Sequence, residues 1–184
     1  MSVIVAIKDK DRVYVGCDTR ISNDVSYNDS YWEKPKALKI TDSIIVGVAG
    51  TIGILDVIES KFSGVIQDCK TKKEIVTYLV PILREEFADT SYMHDRHLEG
   101  QILIAYENRI YIIESNFDVF EREEYGAIGS GGDCARSSLY STSITKLSQK
   151  DRLKIAIESA GKILLSVSTD VYIADTLNGQ FERY

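Results

Sequence analysis

Residues 2–18 read Ser2-Val3-Ile4-Val5-Ala6-Ile7-Lys8-Asp9-Lys10-Asp11-Arg12-Val13-Tyr14-Val15-Gly16-Cys17-Asp18. Val3 to Ile7 is apolar at every position, so an extended chain there shows apolar side chains on both faces and needs cover on both. Asp9-Lys10-Asp11 is a polar turn, and Arg12 to Asp18 is the returning strand, which ends on a carboxylate. A secretion signal would need a basic stretch ahead of a longer apolar one. Here the apolar run is short and Lys8 follows it. The stretch is therefore a strand hairpin inside a layered structure, and the layers have to come from the remaining sequence.

Downstream, Ile21 to Glu33 is polar and rich in Asn, Ser and Asp, the composition of a loop. Lys36–Ile40 and Ile44–Val48 form a second hairpin around Thr41-Asp42-Ser43. After Gly50 the apolar period changes: Ile52, Leu55, Ile58 and Phe62 fall on one helical face. Thr71-Lys72-Lys73-Glu74 has the form of a capping box. The helix behind it is expected to bury Ile75, Val76, Leu79, Leu83 and Phe87, with a kink at Pro81. Ile102–Tyr106 and Arg109–Ile113 make a hairpin over Glu107-Asn108, and Val119–Ile128 holds one or two strands. A second helical pair follows. One helix runs from Gly132 towards Thr142. The other is capped by Ser148 and is expected to bury Leu153, Ala156, Ile157, Ala160, Ile163 and Leu164. Val171–Ala174 and Gln180–Arg183 read as closing strands. The order of strands, two helices, strands, two helices, strands suits two stacked sheets with a helical pair outside each.

The chain has 184 residues, 44% hydrophobic and 27% charged, an ordinary globular mix that excludes dominant disorder. No linker or low-complexity tract divides it, so a single domain over 1–184 is expected. No apolar run approaches the length of a membrane-spanning helix. With 22 Lys and Arg against 28 Asp and Glu the net charge is −6, which disfavours nucleic acid and anionic membranes as partners. Cys17, Cys69 and Cys134 have neither disulfide-framework nor metal-ligand spacing, and a reducing cytoplasm suits them.

Most familiar catalytic constellations are absent. There is no phosphate-binding glycine loop and no nucleophile-elbow serine. The two histidines lie together in Tyr92-Met93-His94-Asp95-Arg96-His97, where a polar loop is the ordinary reading. Gly129-Ser130-Gly131-Gly132 follows a strand and precedes a helix; its amides suit an anion, although glycines there also serve a tight turn. At the other end of the chain, Met1 precedes a small residue, and such methionines are ordinarily removed. Ser2 would then carry its hydroxyl beside a free α-amine of pKa about 7.7–8.0, and a terminal Ser can use its own amine as general base.

Several segments, taken in order, resemble the N-terminal nucleophile hydrolases of the proteasome β-subunit and HslV-like peptidase family. Ser2 to Lys8 resembles the family's mature start, where Thr is the nucleophile. Val13 to Asp18 resembles its second strand with the Asp. Lys36-Ala37-Leu38-Lys39-Ile40 resembles the strand that begins with its essential Lys, and Lys34 is the alternative if the register shifts by two. Val46-Gly47-Val48-Ala49-Gly50 resembles the segment whose first glycine offers an amide to the oxyanion. Ala127 to Gly132 resembles the loop whose Ser lies beside the nucleophile's amine, and Ala160 to Ile163 the end of the last long helix.

The resemblance implies an α+β fold, a four-layer α/β/β/α sandwich. It also implies a site of Ser2, Asp18, Lys36, Gly47 and Ser130 that needs no cofactor and no metal. Lys36 would favour alkoxide character at Ser2 and a neutral α-amine, Asp18 would hold Lys36, and Gly47 would receive the oxyanion. Standing alone, each has an ordinary reading: a strand-end Asp, a solvated Lys, a turn Gly. Two departures stand out. The nucleophile is Ser, and Leu165 occupies the place where many β-subunits have an Asp three residues before the Ser matched by Ser168. The expected activity is hydrolysis of peptide bonds in peptides or unfolded proteins by a cytoplasmic homo-oligomeric ring, with an ATP-dependent unfoldase as partner. The alternatives are a proteasome-like scaffold or transferase without hydrolysis, and a small-molecule amidohydrolase.

Overall fold

The computed structural model describes residues 2–21, 30–31, 35–177 and 180–184. Expectations about Met1, about Lys34 and about most of the Ile21–Glu33 segment lie outside these residues. The opening hairpin is β1 (Ile4–Asp9) and β2 (Arg12–Asp18), turning through Lys10 at φ 54°. A two-residue pairing, β3 (Arg20–Ile21) with β4 (Ser30–Tyr31), follows. Next come β5 (Ala37–Thr41) and β6 (Ile44–Gly50), then α1 (Gly53–Val57), a π-helical turn (Ile58–Phe62) and α2 (Ser63–Asp68). The second helical run is α3 (Lys72–Glu74), another π-helical turn (Ile75–Leu79) and α4 (Val80–Phe87). A small hairpin, β7 (Met93–His94) and β8 (His97–Leu98), leads into β9 (Gly100–Tyr106), β10 (Arg109–Ile113), β11 (Val119–Arg122) and β12 (Tyr125–Ile128). The chain closes with α5 (Gly132–Thr142), α6 (Gln149–Ile163), β13 (Val171–Asp175) and β14 (Glu182–Arg183).

Two five-stranded antiparallel sheets result, ordered β12-β1-β2-β13-β14 and β11-β10-β9-β6-β5. Strand alternation sorts their residues into three apolar layers. Ile4, Ala6, Val15 and Cys17 of the first sheet meet Ile45, Ala49, Leu103 and Ala105 of the second. Val3, Val5 and Ile7 turn outward onto Leu139, Leu153, Ala156 and Ile157 of α5 and α6. Val46, Val48, Ile102 and Ile104 turn the other way onto Ile58, Phe62, Leu79 and Leu83 of the first helical pair. The architecture is the expected four-layer α/β/β/α sandwich, and β1 is buried because it is covered on both faces.

The Thr71 capping box is present: Thr71 Oγ1 accepts from Glu74 N at 3.2 Å while Glu74 Oε2 accepts from Thr71 N at 2.8 Å. Pro81 does not kink an α-helical interior. It sits in the first turn of α4, directly behind a π-helical turn whose wider winding accommodates a residue without an N–H. That turn also rotates the helix face, leaving Val76 47% exposed where burial was expected. Ile163, 71% exposed, ends α6 beyond the reach of the sheet. Val119–Ile128 splits between the sheets, since β11 pairs with β10 but β12 pairs with β1. The closing strand is shorter than expected, Glu182–Arg183 alone. His94 and His97 face each other across a two-residue turn, Asp95 and Arg96 at φ 48° and 67°, on an exposed hairpin.

Candidate active site

Asp18 closes β2 and is 0% exposed. A carboxylate so buried must be paired and hydrogen-bonded. Its Oδ1 accepts from Val3 N at 2.9 Å and from Lys36 Nζ at 3.0 Å. Its Oδ2 accepts from Lys36 Nζ at 3.0 Å, from Arg20 N at 3.1 Å and from Ser168 N at 3.2 Å. One side chain thus joins the chain's start, the exit of β2, the approach to β5 and the segment after α6.

Lys36 lies one residue before β5 and is 1% exposed. It also donates to the carbonyl of Arg20. Burial pulls its ammonium below the ordinary lysine value, and the Asp18 charge opposes this without cancelling it. The neighbouring Cys17 thiol is pushed up to about 12, first by burial and then by the Asp18 charge, so it stays protonated.

Ser2 is 4% exposed and held from two sides. The next residue's N–H is fixed on Asp18. The Ser2 carbonyl accepts from Gly131 N at 3.3 Å and from Ser130 Oγ at 3.4 Å. Gly129 has φ +87°, and a Cβ there would lie 2.2 Å from the Ser2 carbonyl oxygen and 2.9 Å from Ala49 Cβ, so only glycine fits. Ser2, Asp18, Lys36 and Ser130 therefore converge where the two sheets open, beside the end of β6.

Gly47 is placed differently. It sits in mid-strand, paired with Ala37 on one side and Leu103 on the other, and a Cβ there would strike Ile4 Cγ2 at 2.6 Å. Val48 N donates to Lys36 O at 3.2 Å, so even-numbered residues of β6 direct their N–H groups to β5 and odd-numbered ones to β9. Thr51 N, on Glu99 O at 2.9 Å, follows the same alternation. The Gly47 amide is thereby directed to β9, away from the Lys36 edge. Its glycine serves close packing of the sheets. Gly50 falls on the β5 side, one step beyond the Val48–Lys36 bond, at φ +127° where a Cβ would meet Glu99 O at 2.3 Å. Sequence reading passed over Gly50 although it ends the same segment, and its signal was its position at the change from strand to helix period.

The glycine loop has a further partner absent from the expected set: Gly129 N donates to Gln101 Oε1 at 2.8 Å. A polar residue heading the apolar run Ile102–Ala105 was its only trace in the sequence. Among the described residues no group of three or more His, Cys, Asp or Glu side chains is arranged to hold a metal ion, and no helix is long and apolar enough to cross a membrane.

A sequence model of the family described as "Proteasome subunit" matches residues 2–172. Relatives by sequence include the ATP-dependent protease subunit HslV of Campylobacter jejuni (strain RM1221), 26% identical over 177 residues, covering 92% of this chain and 93% of that protein. HslV of Aliarcobacter butzleri is 23% identical over 175 residues, covering 94% and 95%. Among solved structures, Thiobacillus denitrificans BPH superposes with a TM-score of 0.77 at 15% identity, over 94% of this chain and 96% of that one. Eukaryotic HslV from Trypanosoma brucei superposes at 0.76 with 17% identity, over 94% and 98%.

Proposed function

The chain belongs to the proteasome subunit family, and from that premise we propose that it is an N-terminal nucleophile hydrolase cleaving peptide bonds with Ser2 after removal of Met1. The observation that carries this reading is the Asp18 carboxylate, which binds Val3 N–H and Lys36 Nζ at once and so fixes the chain's start against a buried cation. The match of the family model from residue 2 and the name of the HslV relatives, ATP-dependent protease subunit, support it.

In the proposed reaction the neutral α-amine of Ser2 takes the hydroxyl proton as Oγ attacks the scissile carbonyl. Lys36 lowers the cost of negative charge on Oγ and, by like-charge repulsion, keeps the α-amine neutral. The oxyanion forms against a backbone N–H, and Gly50 is assigned that part in place of Gly47. Collapse passes the amine's proton to the departing nitrogen and leaves an ester on Ser2. Water, deprotonated by the same α-amine, then hydrolyses the ester. Ser130 and Gly131 hold the Ser2 carbonyl throughout. A homo-oligomeric cytoplasmic ring fed by an ATP-dependent unfoldase completes the proposal.

Thiobacillus denitrificans BPH has been solved in complex with epoxomicin, at a TM-score of 0.71 and 16% identity to this chain. Epoxomicin is accordingly the probe for the test. The recombinant protein is weighed intact for loss of Met1, incubated with epoxomicin and mapped by peptide mass spectrometry, with Ser2→Ala as control. An adduct on the peptide beginning at Ser2, absent in the control, is expected. No adduct, or one that persists in Ser2→Ala, overturns the reading and favours the non-hydrolytic scaffold or transferase.

A further inference from the structure

We propose that Gln101 is a positioning residue for Ser2, acting through the glycine loop, and that Glu114 fixes the orientation of its amide. The inference rests on Ser2 being the nucleophile. Gln101 lies on β9, whose odd-numbered residues Leu103 and Ala105 face the interior between the sheets while Ile102 and Ile104 face the helices. Gln101 shares the inward phase at the strand's site-facing end. Its Oε1 accepts from Gly129 N at 2.8 Å, and its Nε2 donates to Glu114 Oε2. Glu114 follows β10 and lies across from Gln101, because Ile113 pairs with Ile102.

The bond crosses from one sheet to the other. Gly129 leaves β12 in the first sheet, and Gln101 belongs to the second. Its effect on Ser2 passes through three residues: Gly129 runs so close to the Ser2 carbonyl that a Cβ would strike it, and Ser130 Oγ and Gly131 N donate to that carbonyl. Holding the Gly129 N–H fixes the peptide plane that feeds a positive-φ glycine, and with it the cradle of the terminal residue. The amide presents an acceptor to Gly129 and a donor to a carboxylate in one planar group, whatever the pH. A carboxylate at 101 would face Glu114, and an aliphatic residue would leave the Gly129 N–H without its bond.

The test uses the full-length assembled protein as wild type, Gln101→Leu, Gln101→Glu and the exchanged pair Gln101→Glu/Glu114→Gln. The first measurement is deuterium uptake in peptides covering residues 127–132. Loss of one hydrogen bond should speed exchange there about three- to tenfold in both single variants. The exchanged pair keeps an acceptor for Gly129 on residue 101 and replaces the facing carboxylate by an amide that donates to it, so its uptake should return to the wild-type rate. Gln101→Glu alone should regain protection as pH falls, since two facing carboxylates can share one proton and the protonated one donates. The second measurement is the rate of epoxomicin addition at Ser2, which should fall and recover in the same order.

Unchanged uptake in Gln101→Leu, or an exchanged pair no better than Gln101→Glu, overturns the proposal. If Gln101→Leu does not fold, the pH dependence of Gln101→Glu and its rescue decide alone. A wild type that epoxomicin never labels defeats the nucleophile reading, while loop exchange still decides whether Gln101 holds the cradle.

Discussion

The Asp18–Lys36 pair shows how far one residue's surroundings set its chemistry. A Lys standing alone reads as solvated, but Lys36 is a buried cation against a buried carboxylate. Removing one partner of such a pair costs about 3–5 kcal/mol, reduced here because Asp18 keeps three backbone N–H donors. Lys36→Ala is therefore expected to lose epoxomicin addition and also to unfold at lower urea concentration; wild-type stability in denaturant melts would contradict the buried pair. The rate of addition should depend on pH in a definite way. It rises as the α-amine loses its proton, below the ordinary α-amine range of about 7.7–8.0 because the Lys36 charge repels the ammonium form. It falls again as Lys36 loses its charge, below the ordinary lysine value because burial lowers it. A pH–rate profile with no decline before the ordinary lysine value would contradict that assignment. Ser2, Asp18, Lys36 and Ser130 could be singled out in the sequence because each is a charged or hydroxyl residue at a fixed place in a strand or loop, and the structure brings Asp18 to Lys36 and to the Val3 amide, and Ser130 to the Ser2 carbonyl. Gly47 was misjudged because alternation of N–H direction along β6 needs a pairing register, and the register is set by partners more than fifty residues away.

Helices were legible where their ends carry chemistry, as at the Thr71 capping box and the Ser148 cap, whose Oγ accepts from Asp151 N at 3.1 Å. The π-helical turns were not, because an extra residue per turn leaves no composition signal and appears only as Val76 turned outward. One helix contact escaped notice entirely. Arg152 of α6 is buried, and its guanidinium donates to Leu139 O at 2.6 Å, to Thr142 Oγ1 at 3.2 Å and to Gln149 Oε1 at 2.6 Å. A cation at the last turn of α5 donates to the Leu139 carbonyl, one of the last four that the helix itself leaves unbonded, and complements its dipole. Arg152→Leu should cost about 1.5–3 kcal/mol, the worth of hydrogen bonds to a charged group, measured by urea unfolding. Arg152→Lys should recover only part, since an ammonium cannot reach three acceptors in a planar fork. Equal stability of Arg152→Leu and wild type would show the contacts to be ornamental.

At the scale of the molecule, the layering was readable because Val3–Ile7 needs cover on both faces, the order of strands and helical pairs suits two stacked sheets, and the family resemblance implies them, whereas the crossing from β11 to β12 was hidden in a run of similar strands. Assembly was an expectation from family resemblance, and an open site on a free protomer would cut proteins indiscriminately. A closed ring of copies is expected, so light scattering at micromolar concentration should report a mass many times 20.7 kDa. A monomer would favour the small-molecule amidohydrolase instead. The central position of β1 also imposes an order in time. Ser2 lies beneath the loop at 129–131, and Asp18 reaches Ser168 only after nearly the whole chain exists. An aminopeptidase needs a terminus drawn out into its own cleft, so the proposed mechanism requires Met1 to leave before the 129–131 loop closes over Ser2. Under that mechanism a chain whose first strand closes before trimming would be trapped blocked, and competence would be decided before folding is complete.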